Sequence, residues 1–99
     1  MPQTPTDPAD PLQAAAGTRA GIEAALTGRH RSTVQIARHL AWSHLPPPLA
    51  AVSARIGSAV LDLVADLPDG PELTTAIRRA VEAKDCLVRA AVDATDEER

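Results

Sequence analysis

Two stretches of the chain repeat apolar residues at intervals of three and four positions. In the first, Leu49, Val52, Ile56, Val60, Leu63 and Leu67 fall on one stripe of a helix; in the second, Leu73, Ile77, Ala80, Val81, Leu87, Val88 and Ala91 do the same. Helices are therefore predicted at about 47–67 and 71–94. Between them Pro68-Asp69-Gly70 carries turn chemistry. Pro71 suits a first helical position, where the N–H it lacks would have no intrahelical partner. So short a connection makes the two helices run antiparallel. The expected fold is all-α: an antiparallel helical hairpin with an N-terminal helical extension, assembled into an oligomeric bundle.

The extension is less regular. Residues 12–27 are Ala-rich and helix-permissive, with Gly17 and Gly21 each weakening a helix by about 1 kcal/mol. Ser32 or Thr33 can cap a second short helix carrying Val34, Ile36, Ala37, Leu40 and Ala41, which Pro46-Pro47-Pro48 then ends. Four of the nine prolines lie in residues 2–11 among Thr, Asp and Gln, a composition that cannot bury enough apolar area to offset its ordering entropy. The expected organisation is a flexible tail at 1–11, a helical extension at 12–45, the hairpin domain at 46–94 and an acidic tail at 95–99. No internal repeat and no strand is predicted.

Composition sharpens this picture. Among 99 residues 44% are apolar, yet there is no Phe, no Tyr and one Trp, so the core is aliphatic. A hairpin of about 46 residues buries too small a share of its surface to be stable alone without disulfides, metal or association. Cys86 is the lone cysteine, which rules out an intrachain disulfide, reads as intracellular and leaves self-association as the expected route. The N-terminus has no basic start followed by an apolar run, and no stretch approaches the roughly 18 apolar residues of a membrane span. A cytoplasmic protein without membrane contact is expected.

Charge is uneven. Of the net −3, residues 17–45 contribute an excess of cations through Arg19, Arg29, Arg31 and Arg38 against Glu23, while the other segments are acidic. No face concentrates enough positive charge for general attraction to duplex DNA. Arg29, Arg31 and Arg38 could touch phosphates in a helix-turn-helix, or belong to a solvated connector that packs Val34, Ile36 and Leu40 onto the hairpin.

Candidate chemistry is sparse. His30, His39 and His44 are spaced by nine and five residues, which fits no compact metal-ligand pattern, so no metal or other cofactor is expected. No Ser or Thr sits in a strained Gly-flanked turn and Cys86 falls inside a predicted helix, so an enzyme is not expected. On the second long helix Arg78, Arg79, Glu82, Asp85, Arg89 and Asp93 share one side, with Arg78–Glu82 and Asp85–Arg89 as i,i+4 pairs. Lys84 falls instead near the middle of the apolar arc, where its ammonium must snorkel, meet a carboxylate or meet an anionic ligand. Trp42 either staples the connector onto the first long helix or offers a flat surface to a nucleobase, a stacking contact of roughly 1 to 3 kcal/mol.

The run Leu40-Ala41-Trp42-Ser43-His44-Leu45-Pro46 leads into a helix. Leu63 to Thr74 then spans the turn Leu67-Pro68-Asp69-Gly70-Pro71, and Ala76 to Asp85 with Leu87-Val88-Arg89-Ala90-Ala91 completes the pattern. This pattern, over residues 40–94, resembles the helical-hairpin family of phage proteins that counter CBASS and Thoeris immunity, in particular the anti-CBASS cyclic-oligonucleotide sponges. The resemblance implies a homo-oligomer, commonly a hexamer, in the cytoplasm of an infected or lysogenic host. It implies sequestration of cyclic di- and trinucleotide messengers without degradation. It places Trp42 where the family stacks a base, and Val88-Arg89-Ala90 where it binds cyclic trinucleotides through the Arg. The family's basic residue on the first helix falls near Gly57, with Arg55 the cation close by; Thr74, Thr75 and Lys84 are neighbouring ligand-binding candidates. The readings from other classes are a homo-oligomeric structural or interaction module without a nucleotide ligand, and a small DNA-binding regulator.

Overall fold

The structure, a computed structural model, describes residues 11–97 and is all-helical there. Three short helices, α1 (Pro11–Ala16), α2 (Arg19–Ala25) and α3 (Arg31–Ala37), lead through a 3₁₀ turn at Arg38–Leu40 to the long helices α4 (Pro47–Asp66) and α5 (Pro71–Glu97). Most of the expected N-terminal tail lies outside the described residues, but Pro11, placed at its end, opens α1. The expected acidic tail is shorter too, because α5 continues through Thr95 and Asp96 to Glu97.

Local chemistry explains where the short helices differ from expectation. The Ala-rich stretch breaks at Gly17, and the Thr18 hydroxyl restarts it as α2 by accepting from the Gly21 N–H at 2.9 Å. Neither Ser32 nor Thr33 caps α3: His30 does, its Nδ1 accepting from the Ser32 N–H at 3.1 Å. Leu40 and Ala41 lie beyond α3, the first in the 3₁₀ turn and the second in extended backbone. The long helices begin as their prolines dictate. Pro47 and Pro48 occupy the first positions of α4, and the Pro46 carbonyl accepts from Ala50 N at 2.8 Å.

The core draws on both halves of the chain. Ile22 and Leu26 from α2, Ala37, Leu40 and Ala41 from the connector, Val64 from α4, and Leu73 and Ile77 from α5 form one buried cluster. Residues 12–45 are therefore no appendage: the first partner of the long helices is covalently attached to them, which corrects the reading of a pair that can be satisfied only by other copies.

The largest correction concerns α4. Its buried residues are Ala50, Ser53, Ala54, Gly57 and Val64. At 100° per residue these point about a quarter turn away from the Leu49–Leu67 stripe. Leu49, Val52, Ile56 and Val60 are half-buried, while Leu63 is 59% exposed and Leu67 47%. The cause is Trp42, 1% exposed. Its indole needs a flat, small-residue bed, and α4 supplies one: a methyl built on Gly57 would sit 2.9 Å from Trp42 Cε3 and 2.8 Å from the Leu40 carbonyl oxygen. On the other side a methyl on Gly17 would overlap Cε2 and Nε1 of the same ring. The Gly17 carbonyl accepts from Trp42 N at 2.9 Å and Ser43 N at 3.2 Å, and the Ser43 hydroxyl donates to the Ala14 carbonyl.

The expectation about membrane spans also needs correction. α4 has the length and apolar composition of a crossing helix, although it carries Arg55 and Asp62, charges that are costly at a bilayer centre. In this fold its small-residue face is core.

Because the indole is clamped between two glycines, Gly17→Ala and Gly57→Ala are each expected to lose about 1–3 kcal/mol in urea unfolding. Gly70→Ala, where an added methyl meets nothing, is expected to stay within about 0.5 kcal/mol of the parent.

Candidate functional site

The residues singled out from the sequence do not converge within one chain. Trp42 is sealed in the core between Gly17 and Gly57, so stacking a base on it would require that packing to open. Arg55 is exposed on α4. Thr74 is half-buried in the first turn of α5, where its hydroxyl donates to the Pro71 carbonyl at 3.0 Å, and Thr75 beside it is exposed. Arg89 is exposed and donates to Cys86 Sγ at 3.4 Å. Thr75 and Arg89 are separated by about 21 Å along the helix, given a rise of about 1.5 Å per residue. The expected ion pairs on this face are also replaced: Arg79 meets Glu82 at 3.2 Å in an i,i+3 pair.

Of its three expected outcomes Lys84 takes the carboxylate, in the ion pair with Asp85, but its shorter contacts are to backbone carbonyls, which were not expected. It is 6% exposed, and its ammonium donates to the backbone carbonyls of His39 at 2.8 Å and Ala41 at 3.5 Å, with the Asp85 carboxylate at 3.7 Å. The carbonyls at the end of a helical segment have no intrahelical donors and carry the negative pole of the local dipole, so they accept a buried cation well. Lys84 thus ties α5 to the close of the 3₁₀ turn.

Around that ammonium lies a recess of about 140 Å³ lined by Arg19, Arg38, His39, His44, Val81, Lys84 and Asp85, with the Ala41 backbone. Arg38 pairs with Glu23 at 3.1 Å through one terminal nitrogen, and its Nε is buried without a partner. The Arg19 side chain, at the start of α2, makes no hydrogen bond or ion pair among the described residues. Three cations and two imidazoles against two carboxylates, Asp85 in the lining and Glu23 on Arg38, leave an excess of positive charge suited to a small oxyanion, because guanidinium donors match phosphate geometry. Lys84 was legible in the sequence as the cation out of pattern. Arg19 and Arg38 were not, because only the packing of α2 and the connector brings them to it.

A second polar cluster is structural. The Asp69 carboxylate in the α4–α5 turn accepts from the Thr33 hydroxyl at 2.7 Å, the His30 backbone N–H at 3.0 Å and Arg29 Nε at 3.1 Å. Arg29 also closes the C-terminal end of α4, donating to the Val64 carbonyl at 2.6 Å and the Leu67 carbonyl at 2.7 Å. Arg29 is therefore committed to the fold, not available for phosphates in the manner of a helix-turn-helix. The Thr33 hydroxyl, the His30 N–H and Arg29 together lower the Asp69 pKa from 3.8 to about 2. Next to this clasp a cleft of about 440 Å³ runs between His30, Ser32, Asp69 and Thr74. Among the described residues no group of three or more His, Cys, Asp or Glu side chains could hold a metal ion.

No protein-family model, curated protein or solved structure matches this chain.

Two outcomes follow from these clusters. Since the Asp69 pKa is lower in the folded chain than in the unfolded one, its carboxylate stabilises the fold above about pH 4, and this contribution disappears as the pH falls towards 2. Asp69→Asn is expected to melt lower than the parent at pH 7 and to approach it near pH 2, in thermal scans across that range. Lys84→Met is expected to cost about 1–3 kcal/mol in urea unfolding, because it leaves the His39 and Ala41 carbonyls without their donor.

Proposed function

We propose that this protein acts by binding and not by catalysis: a self-associating helical module that sequesters cyclic di- or trinucleotide messengers in the host cytoplasm. The observation that carries the reading is the recess of Arg19, Arg38 and Lys84, which suits a phosphodiester within a single chain. The resemblance of the Leu67–Leu73 turn and of Val88-Arg89-Ala90 to anti-CBASS sponges supplies the ligand class. In this reading α4 and α5 form an antiparallel hairpin whose uncovered residues, Leu63, Leu67, Leu87 and Val92, are covered by other copies, as in a hexamer. Exposed Arg55, Thr75 and Arg89 then come together between chains, since Thr75 and Arg89 stand about 21 Å apart along α5. Trp42 contributes by fixing the path of the connector that carries His39 and His44 to the recess.

The burial of Trp42 favours a second reading, a homo-oligomeric module without a nucleotide ligand. The same experiment separates the two. Calorimetric titration with a panel of cyclic di- and trinucleotides, alongside mass by light scattering, is expected to show saturable binding to an oligomer. Arg19→Ala is expected to weaken that binding by about tenfold, the loss of one charge-assisted hydrogen bond. An oligomer that gives no heat with any cyclic nucleotide establishes the structural module; a stable monomer removes both readings.

A further inference from the structure

Beside the basic recess, and sharing His39 with it, a groove of about 390 Å³ runs between α3 and α5. Its two walls follow from helical spacing. Ser32, Gln35, Ile36 and His39 recur at i, i+3, i+4 and i+7, which sets them along one side of α3 and the 3₁₀ turn that continues it; Thr74 and Arg78, four apart, share one side of α5. Ser32, Gln35, His39 and Arg78 are exposed, so a molecule in the groove can reach them, and half-buried Ile36 adds an apolar patch. The side chains of Ser32, Gln35 and Arg78 make no hydrogen bond or ion pair among the described residues. The Thr74 hydroxyl donates to the Pro71 carbonyl and keeps its own oxygen free to accept. No carboxylate lines the groove.

These features narrow the ligand further than charge alone does. Arg78 offers a planar fork of donors and no acceptor, which matches two adjacent acceptors on a flat ring. Guanine presents such a pair in O6 and N7, whereas adenine puts an amino group in place of O6 and meets the guanidinium donor against donor. The opposite edge of guanine carries N–H donors, for which the Gln35 amide carbonyl and the Ser32 and Thr74 hydroxyl oxygens are acceptors. Arg78 and Lys84 lie six residues apart on α5, about 9 Å along its axis, a reach that one nucleotide covers between base and phosphate. We propose that this groove is a guanine subsite: a nucleotide whose phosphodiester sits in the recess of Arg19, Arg38 and Lys84 lays its base between α3 and α5, with Arg78 donating to O6 and N7 and Gln35 accepting from the opposite edge. The subsite rests on the sequestration reading for the phosphate and adds the identity of the base.

Cyclic di-GMP and cyclic di-AMP carry the same phosphates and differ only in their bases, so calorimetric titration of the full-length protein with each separates the groove from the recess. Cyclic di-GMP is expected to bind about tenfold tighter, the discrimination of one bidentate contact between Arg and guanine. Arg78→Lys keeps the charge and loses the fork, so it is expected to bring the two constants within about twofold of each other by weakening cyclic di-GMP alone. Gln35→Ala is expected to weaken cyclic di-GMP about fivefold, as the loss of a neutral hydrogen bond does. Arg19→Ala, in the recess, is expected to weaken both probes equally. Equal constants in the parent, tighter binding of cyclic di-AMP, or a guanine preference that survives Arg78→Lys overturns the subsite and leaves the recess standing. If neither probe binds, the sequestration reading falls and the subsite falls with it.

Discussion

The seating of one indole between two glycines governs the arrangement of the whole chain. Gly17 closes the turn after α1 and Gly57 sits in the middle of α4, and only their missing side chains let Trp42 lie flat between the two elements. Once it lies there, α4 must present its small residues inward. The bulky aliphatic stripe then rotates to the flank, where it is half covered. Hydrophobic burial alone would have turned α4 the other way, since a leucine stripe removes more apolar area from water than an alanine face. The largest side chain in the molecule outweighs that preference because its burial is worth more than that of any single aliphatic residue.

This explains how much of the fold could be read from the residues. The two long helices and their turn were legible because periodicity, proline placement and Pro68-Asp69-Gly70 all agree: both starts fall on the predicted prolines and the ends differ by one and three residues. The rotation of α4 was not legible, because apolar periodicity identifies a stripe without saying which neighbour it faces. The break at Gly17 was misread as a weak point in one helix; it is the contact surface for a ring twenty-five residues away in sequence. His30 was missed as a cap because an imidazole in that role leaves no pattern as recognisable as Ser, Thr, Asp or Asn.

The candidate sites follow the same division. Lys84 stood out as a charge in an apolar arc, and this irregularity was a sound signal of a special environment. What it meets, the open carbonyls of a 3₁₀ turn, depends on the tertiary placement of the connector and could not be read from α5 itself. The two cations gathered beside it come from α2 and the 3₁₀ turn, and no spacing rule links Arg19, Arg38 and Lys84. Trp42 shows the opposite case. Its singularity left two readings, a staple between the connector and the first long helix or a stacking surface for a base, and its burial against Gly57 fits the first.

The Asp69 clasp gives the molecule a direction. It fastens the turn between the long helices to the start of α3, and through Arg29 to the last carbonyls of α4, so one extremity of the bundle is held by a carboxylate and a guanidinium acting together. At the opposite extremity α5 carries Leu87 and Val92 in partly open surroundings. Whatever seizes the distal part of α5 therefore pulls on an arm whose remote mooring is the carboxylate of the turn and whose nearer one is the Lys84 ammonium.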